Sequence, residues 1–252
     1  TFSNDISLRE NNIWSLGFSP EEQVESVISC AITFGYKKFG LLAPDNLYGR
    51  ILTNTSIDLI SDHKNNEYDK ILLNNDQIND KLKLFSILKS FLKFNENQTL
   101  HTRFDSILIG GSKEFILDIA PLLAFFNVDS KHVKILGTEK FNIKEIKSEP
   151  SLEKAWFPTV VSKNEKNFRL YWQKIWGDEV NYFSNAGFDS GNIGINYVNK
   201  HKDGSSFLKN ISGAITGLTL KSGGYVKKPI SVMQIESLGK LSNIEQCSNF
   251  KD

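Results

Sequence analysis

Five polar residues stand just past apolar runs in this chain. Asp45, Asn46 and Tyr48 follow Phe39-Gly40-Leu41-Leu42-Ala43, Ser112 follows Ile107-Leu108-Ile109-Gly110-Gly111, and Glu139 follows Ile135-Leu136-Gly137-Thr138. Their chemistry is that of recognition. Ser112 sits where the free N–H groups of a following helix would meet an anion such as a carboxylate. Tyr48 offers a ring for apolar stacking and a hydroxyl, and Glu139 can accept from an ammonium group. Asp45 and Ser112 have an alternative reading as plain helix caps, Tyr48 and Glu139 as exposed side chains. Catalytic patterns are missing from the sequence. No Gly-x-Ser-x-Gly occurs, and His63, His101, His132 and His201 lie in polar surroundings that read as exposed loops. Gly110-Gly111-Ser112 is the nearest approach to a phosphate-binding loop, but it lacks a third glycine and a P-loop lysine. With no His or Cys cluster at metal-like spacing, the expectation is a non-enzyme without cofactor or metal.

The elements that must position these residues alternate. Short apolar runs at 39–43, 106–109 and 133–136, with a weaker one at 71–73, have no polar face, the pattern of parallel strands covered by helices on both sides. Helices are expected between them. One begins at Ser19-Pro20 with Glu22 completing a capping box, carries Val24, Val27, Ile28, Ala31 and Ile32 on one face, and stops at Gly35. Others are expected over 47–60, over 78–94, and after Ser112 with Phe115, Ile116, Ile119 and Leu122 apolar. Past residue 150 the rhythm changes. Ala155–Val161 is extended because of Pro158; helices are expected over 165–176, 183–197 and 205–211, an alternating strand on a sheet edge over 230–235, and tail from about Leu241. Strands and helices in alternation require right-handed crossovers, so the fold class is α/β with a parallel sheet flanked by helices. In such sheets ligands bind outside the carboxyl ends of the strands, which is where the five polar residues stand.

The chain has 252 residues, 40% hydrophobic, and a net charge of +1, enough for one large or two modest domains. Scattered basic residues and near-neutral charge give no reason to expect nucleic acid. No apolar run approaches a bilayer span. The start at Thr1, without a charged-then-apolar leader, reads as a processed chain or a fragment. The two cysteines, Cys30 and Cys247, either pair in an oxidising compartment or are two separate thiols; spacing alone does not choose.

Three segments resemble the type I periplasmic binding proteins, the superfamily of branched-chain amino-acid receptors. They are Gly17-Phe18-Ser19-Pro20-Glu21-Glu22-Gln23, Leu41-Leu42-Ala43-Pro44-Asp45-Asn46-Leu47-Tyr48-Gly49 and Ile135-Leu136-Gly137-Thr138-Glu139. Within that superfamily, Ala155-Trp156-Phe157 and Tyr182-Phe183-Ser184-Asn185-Ala186-Gly187-Phe188-Asp189-Ser190 are most similar to the penicillin-binding-protein activators, LpoA-like lipoproteins of the bacterial envelope. The resemblance implies two α/β lobes closing on a ligand about crossing segments near Ile13–Gly17, Phe157–Val161 and Gly223–Pro229. It divides the chain into a remnant strand and hinge at 1–16, a near-complete lobe from 17–160 plus 225–245, a lobe truncated at its N-terminal portion and made of helices at 161–224, and a tail at 246–252. Apolar residues of the short lobe, Phe168, Tyr171, Trp172 and Ile175, would then favour self-association. The function implied is a non-enzymatic envelope protein of the activator type acting on a peptidoglycan synthase. The alternative is an amino-acid receptor of an ABC transporter. Both place the chain in the periplasm or cell envelope, lipid-anchored if an N-terminal segment precedes it. In both, Asp45, Asn46, Tyr48, Ser112 and Glu139 would line the cleft and meet a small polar ligand such as an amino acid.

Overall fold

The computed structural model describes residues 13–93, 102–128, 132–161, 165–177, 180, 182–200, 217–220 and 224–247. The segments 1–12 and 95–101 and the helix expected over 205–211, with His101 and His201, lie outside them. Two compact units are present, one formed by Thr1–Ser19, Val160–Ile230 and Asn249–Asp252, the other by Pro20–Thr159 and Ser231–Ser248.

The larger unit is a layered α/β body, and the alternation of its strand residues explains why. Strand β1 (Lys38–Pro44) sends Phe39 and Leu41 to one face and Leu42 to the other, all buried. β3 (Ser106–Ile109) does the same with Leu108 against Ile107 and Ile109, and β4 (Lys134–Leu136) with Leu136 against Ile135. A strand apolar on both faces must be covered on both. Helices α1 (Pro20–Thr33) and α2 (Leu47–Ser61) cover the first face through Val24, Val27, Ile28, Leu52 and Ile60. Helices α4 (Lys81–Leu92) and α5 (Lys113–Phe125), with the short α6 (Lys144–Lys147), cover the second through Leu84, Leu88, Phe115, Ile116, Ile119 and Ile146.

The sheet order is β2-β1-β3-β4-β5-β8-β9, with β2 (Glu67–Leu73), β5 (Trp156–Val160), β8 (Ile230–Ile235) and β9 (Leu241–Asn243). The pairs β1/β2, β1/β3, β3/β4 and β4/β5 are parallel. Beyond β5 the direction reverses: the Ile235 N–H donates to the Ala155 carbonyl and the Val161 N–H to the Pro229 carbonyl, so residue numbers rise on one strand as they fall on the other. β8 and β9 are also antiparallel, so 230–235 is not the edge strand its alternation suggests: β9 covers that side and takes the edge.

Three further expectations are corrected. The helix expected over 78–94 is two helices, α3 (Asn75–Asn79) and α4, because Asp80 leaves helical geometry and its carboxylate accepts from the Leu82 and Lys83 amides. A short acceptor side chain that competes for backbone N–H groups starts a new helix where apolar spacing suggests continuation. β2 is longer than its apolar core, since an edge strand keeps polar residues that hide it from a hydrophobicity reading. Residues Leu241–Asn243 are a strand and not tail: they pair with Met233–Ile235. The open question of the cysteines is settled too, for Cys30 on α1 is disulfide-bonded to Cys247.

The smaller unit holds α7 (Glu165–Trp176), α8 (Tyr182–Lys200) and the antiparallel pair β6 (Thr219–Leu220) with β7 (Val226–Lys227). Its core is Leu16, Ala186, Ile193, Leu218, Leu220 and Val226. Phe168 packs on Phe188 at 4.9 Å between ring centroids, whereas Leu170, Tyr171, Ile175 and Trp176 of α7 are exposed. Among the described residues no helix is long and apolar enough to cross a membrane.

Candidate ligand-binding site

β1, β3 and β4 are parallel neighbours, so the turns after them lie along one edge of the sheet. The five polar residues read from the sequence fall on that edge and divide into two groups. Asn46 and Ser112 are occupied as caps. The Asn46 side chain accepts from the Gly49 amide at 2.9 Å to start α2, and Ser112 Oγ accepts from the Phe115 amide at 3.3 Å to start α5. Asp45 accepts from Arg50 Nε at 2.9 Å in an exposed ion pair of small energetic weight.

Tyr48 and Glu139 are brought together. Tyr48, in the first turn of α2, turns its hydroxyl toward Thr138 and Glu139. Burial and the neighbouring Glu139 both hold the phenol above its ordinary pKa, against a lowering contribution from Thr138. Glu139 opens a 3-10 turn, Glu139–Asn142, directly after β4. Its amide donates to Gln23 Oε1 on α1 at 3.0 Å, and its Oε1 accepts from the Thr159 hydroxyl at the end of β5 at 3.1 Å. Glu139 Oε2 and Thr138 Oγ1 are closed off from solvent and lack a hydrogen-bond partner. Gly137 makes the turn possible: a Cβ there would lie 2.4 Å from the ring of Phe141, which is fully buried.

Gln23, Thr138 and Thr159 belong to this cluster and were not singled out from the sequence. Gln23 carried a signal, since it is a polar residue in the buried stripe of α1 between Pro20 and Val27. Thr138 and Thr159 carried none, because small hydroxyl residues at strand ends are unremarkable until β4 and β5 are known to be adjacent. His63 and His132 are exposed. No group of three or more His, Cys, Asp or Glu able to hold a metal occurs among the described residues.

Desolvation pushes the Glu139 carboxyl up to about 8, only partly opposed by Thr159, Asn142 and Lys140. An acid whose folded-state pKa is raised contributes stability that is present below its unfolded value and is lost as pH rises through the folded one. The window is therefore about pH 4.5 to 8. Glu139→Gln, isosteric and uncharged, is expected to be as stable as wild type at pH 4 and about 2 kcal/mol more stable at pH 9, after allowing for relaxation around a buried charge. Urea denaturation at the two pH values measures this; a variant parallel to wild type across the range contradicts it.

No protein-family model and no curated protein sequence matches the chain. Solved structures do. A branched-chain amino-acid ABC transporter periplasmic ligand-binding protein from Burkholderia xenovorans aligns with a TM-score of 0.73 at 16% identity, over 96% of this chain and 67% of that one. A solute-binding protein of an ABC transporter from Rhodopseudomonas palustris, in complex with benzoate, aligns with a TM-score of 0.65 at 12% identity, over 92% and 64%. The C-domain of LpoA from Haemophilus influenzae, a regulator of PBP1A, aligns with a TM-score of 0.59 at 14% identity, over 90% and 68%. The chain has the fold of the type I periplasmic binding proteins. It spans about two thirds of the length of the structures it matches, and at these identities the likeness is one of fold.

Proposed function

We propose that this chain is a non-enzymatic binding module of the cell envelope that holds a small molecule at the strand-end edge of its larger unit, as a solute-binding protein would. The observation that carries this reading is the pair of unpartnered, solvent-excluded polar atoms, Glu139 Oε2 and Thr138 Oγ1, at the edge where open α/β sheets place ligands. The Tyr48 hydroxyl and the Thr159 and Gln23 side chains frame them. The bond between Cys30 and Cys247 supports export, since such bonds persist in oxidising compartments. A thermal-shift screen with amino acids and small aromatic acids tests it. A ligand at a hundred times its Kd adds about 2.7 kcal/mol and raises Tm by several degrees, and Tyr48→Phe with Thr138→Val should remove the shift. A flat screen would count against the reading.

A second reading, the activator type that works through a peptidoglycan synthase, is favoured by the exposed Leu170, Tyr171, Ile175 and Trp176 on α7, an apolar surface suited to a protein partner. Sedimentation distinguishes use of this surface between copies from a lone chain. A synthase pull-down lost on Leu170→Glu with Trp176→Glu would favour the activator.

A further inference from the structure

We propose that the Glu139 carboxyl carries its proton in the free protein, and that the site takes its ligand through an oxygen acceptor, a carboxylate or carbonyl, and not through an ammonium group. The second half rests on the ligand-binding reading above; the first does not.

The groups around Glu139 lead there. From β5 the Thr159 hydroxyl donates to Oε1. From α1 comes Gln23, uncharged, whose Oε1 is turned to the Glu139 amide. From α2 comes Tyr48, a neutral phenol. On its own turn stand the Asn142 amide and Lys140, whose ammonium has the weakest effect of the groups acting on it. No salt bridge among the described residues includes Glu139. Oε2 therefore sits out of water without a cation and without a donor. A carboxylate so placed is costly, and the usual escape is to take up a proton. The upward displacement of its titration agrees.

Protonation inverts what the site offers. Oε2 becomes an O–H donor beside the Tyr48 and Thr138 hydroxyls, which can donate as well. The negative charge that an ammonium ligand would pair with is gone, and each of the three O–H groups can turn toward an acceptor that a ligand brings. An ammonium ligand brings only further donors. A carboxylate or carbonyl oxygen brings an acceptor for these donors and meets no like charge, as in sites where a neutral carboxylic acid and a tyrosine together hold an oxyanion.

The proton makes this testable. With a midpoint near 8, the protonated fraction falls from nearly all at pH 6 to about one tenth at pH 9, so an acceptor ligand loses about tenfold in affinity. A ligand needing the carboxylate gains nearly a hundredfold over the same range. The experiment uses the whole chain labelled with 13C at glutamate side chains, the Glu139 signal being assigned by its loss in Glu139→Gln. Calorimetry at pH 6 and pH 9 accompanies it, with 3-methylbutanoate against 3-methylbutylamine and benzoate against phenethylamine. The expected result is a Glu139 midpoint near 8. The acids should bind about tenfold more tightly at pH 6, a dependence absent from Glu139→Gln, whose amide still donates. A midpoint near 4.5, or amines that bind more tightly as pH rises, overturns the proposal. A midpoint near 8 with no probe bound at either pH overturns the ligand class together with the ligand-binding reading, and leaves the proton assignment standing on its own measurement.

Discussion

Replacing Cys30 and Cys247 together by alanine should lower the melting temperature by about 10 °C, close to the largest effect of any change that leaves the site untouched. The bridge spans 217 residues of sequence. Closing a ring of that size removes denatured-state entropy worth about 5 kcal/mol, and native bridges in practice deliver about 2–5. Its location adds to the argument. Cys30 is on the buried face of α1, and Cys247 ends a short 3-10 turn after β9, a strand of three residues at the sheet edge. Apart from the bridge, this last segment is held by its short ladder to β8 and by the Ile244 amide donating to the Val232 carbonyl. The double variant should lose amide-exchange protection in Leu241–Cys247 first, while β1, β3 and β4 stay protected. Alanine leaves no buried polar atom behind, so the change isolates the cross-link. A variant melting within about 2 °C of wild type, or free thiols in the untreated protein, would show that the bridge holds nothing.

Gly49→Ala should be at least as damaging, by about 4 kcal/mol, with Gly110→Ala as a milder companion at about 1 kcal/mol. A Cβ on Gly49 would stand 2.0 Å from the Pro44 carbonyl oxygen and 3.1 Å from Ala43 Cβ. Pro44 ends β1, which is paired on both sides, so the backbone cannot move away. The first turn of α2 must shift instead, and it carries Tyr48 of the site and, one turn on, the fully buried Leu52. At Gly110 the obstacle is Leu52 Cδ1 at 2.4 Å, the end of a side chain that can turn aside. Chemical denaturation of the two variants should rank them in that order, and only Gly49→Ala should also disturb the Glu139 titration. Equal stability for the two would mean that α2 is not seated on the end of β1 as described.

Much of the larger unit was legible in the sequence because its strands are buried on both faces and its helices carry explicit start signals. β3 over 106–109 and its Ser112-capped helix, β8 over 230–235 and α7 over 165–176 have the limits that their patterns predict. Misreadings arose where a side-chain cap or a strand pairing overrides the local pattern. Asp80 splits a helix by capping its second half, and β9 consists of residues whose pairing with Met233–Ile235 comes from the return of the chain after Ser237–Gly239.

The site divides along the same line. Sequence by itself determined that polar residues follow apolar runs and that those runs are parallel strands, which places Asp45, Asn46, Tyr48, Ser112 and Glu139 on one edge. It could not determine which of them cap helices and which face one another, because that depends on strand order and on how close each turn comes to the next. Tertiary structure decided it. With β4 between β3 and β5, Glu139 meets Thr159; with α1 and α2 on the same face, Gln23 and Tyr48 reach the same turn. Burial then changes the chemistry of the carboxyl group, since a glutamate read as an acceptor becomes a proton holder once water and cations are kept from Oε2.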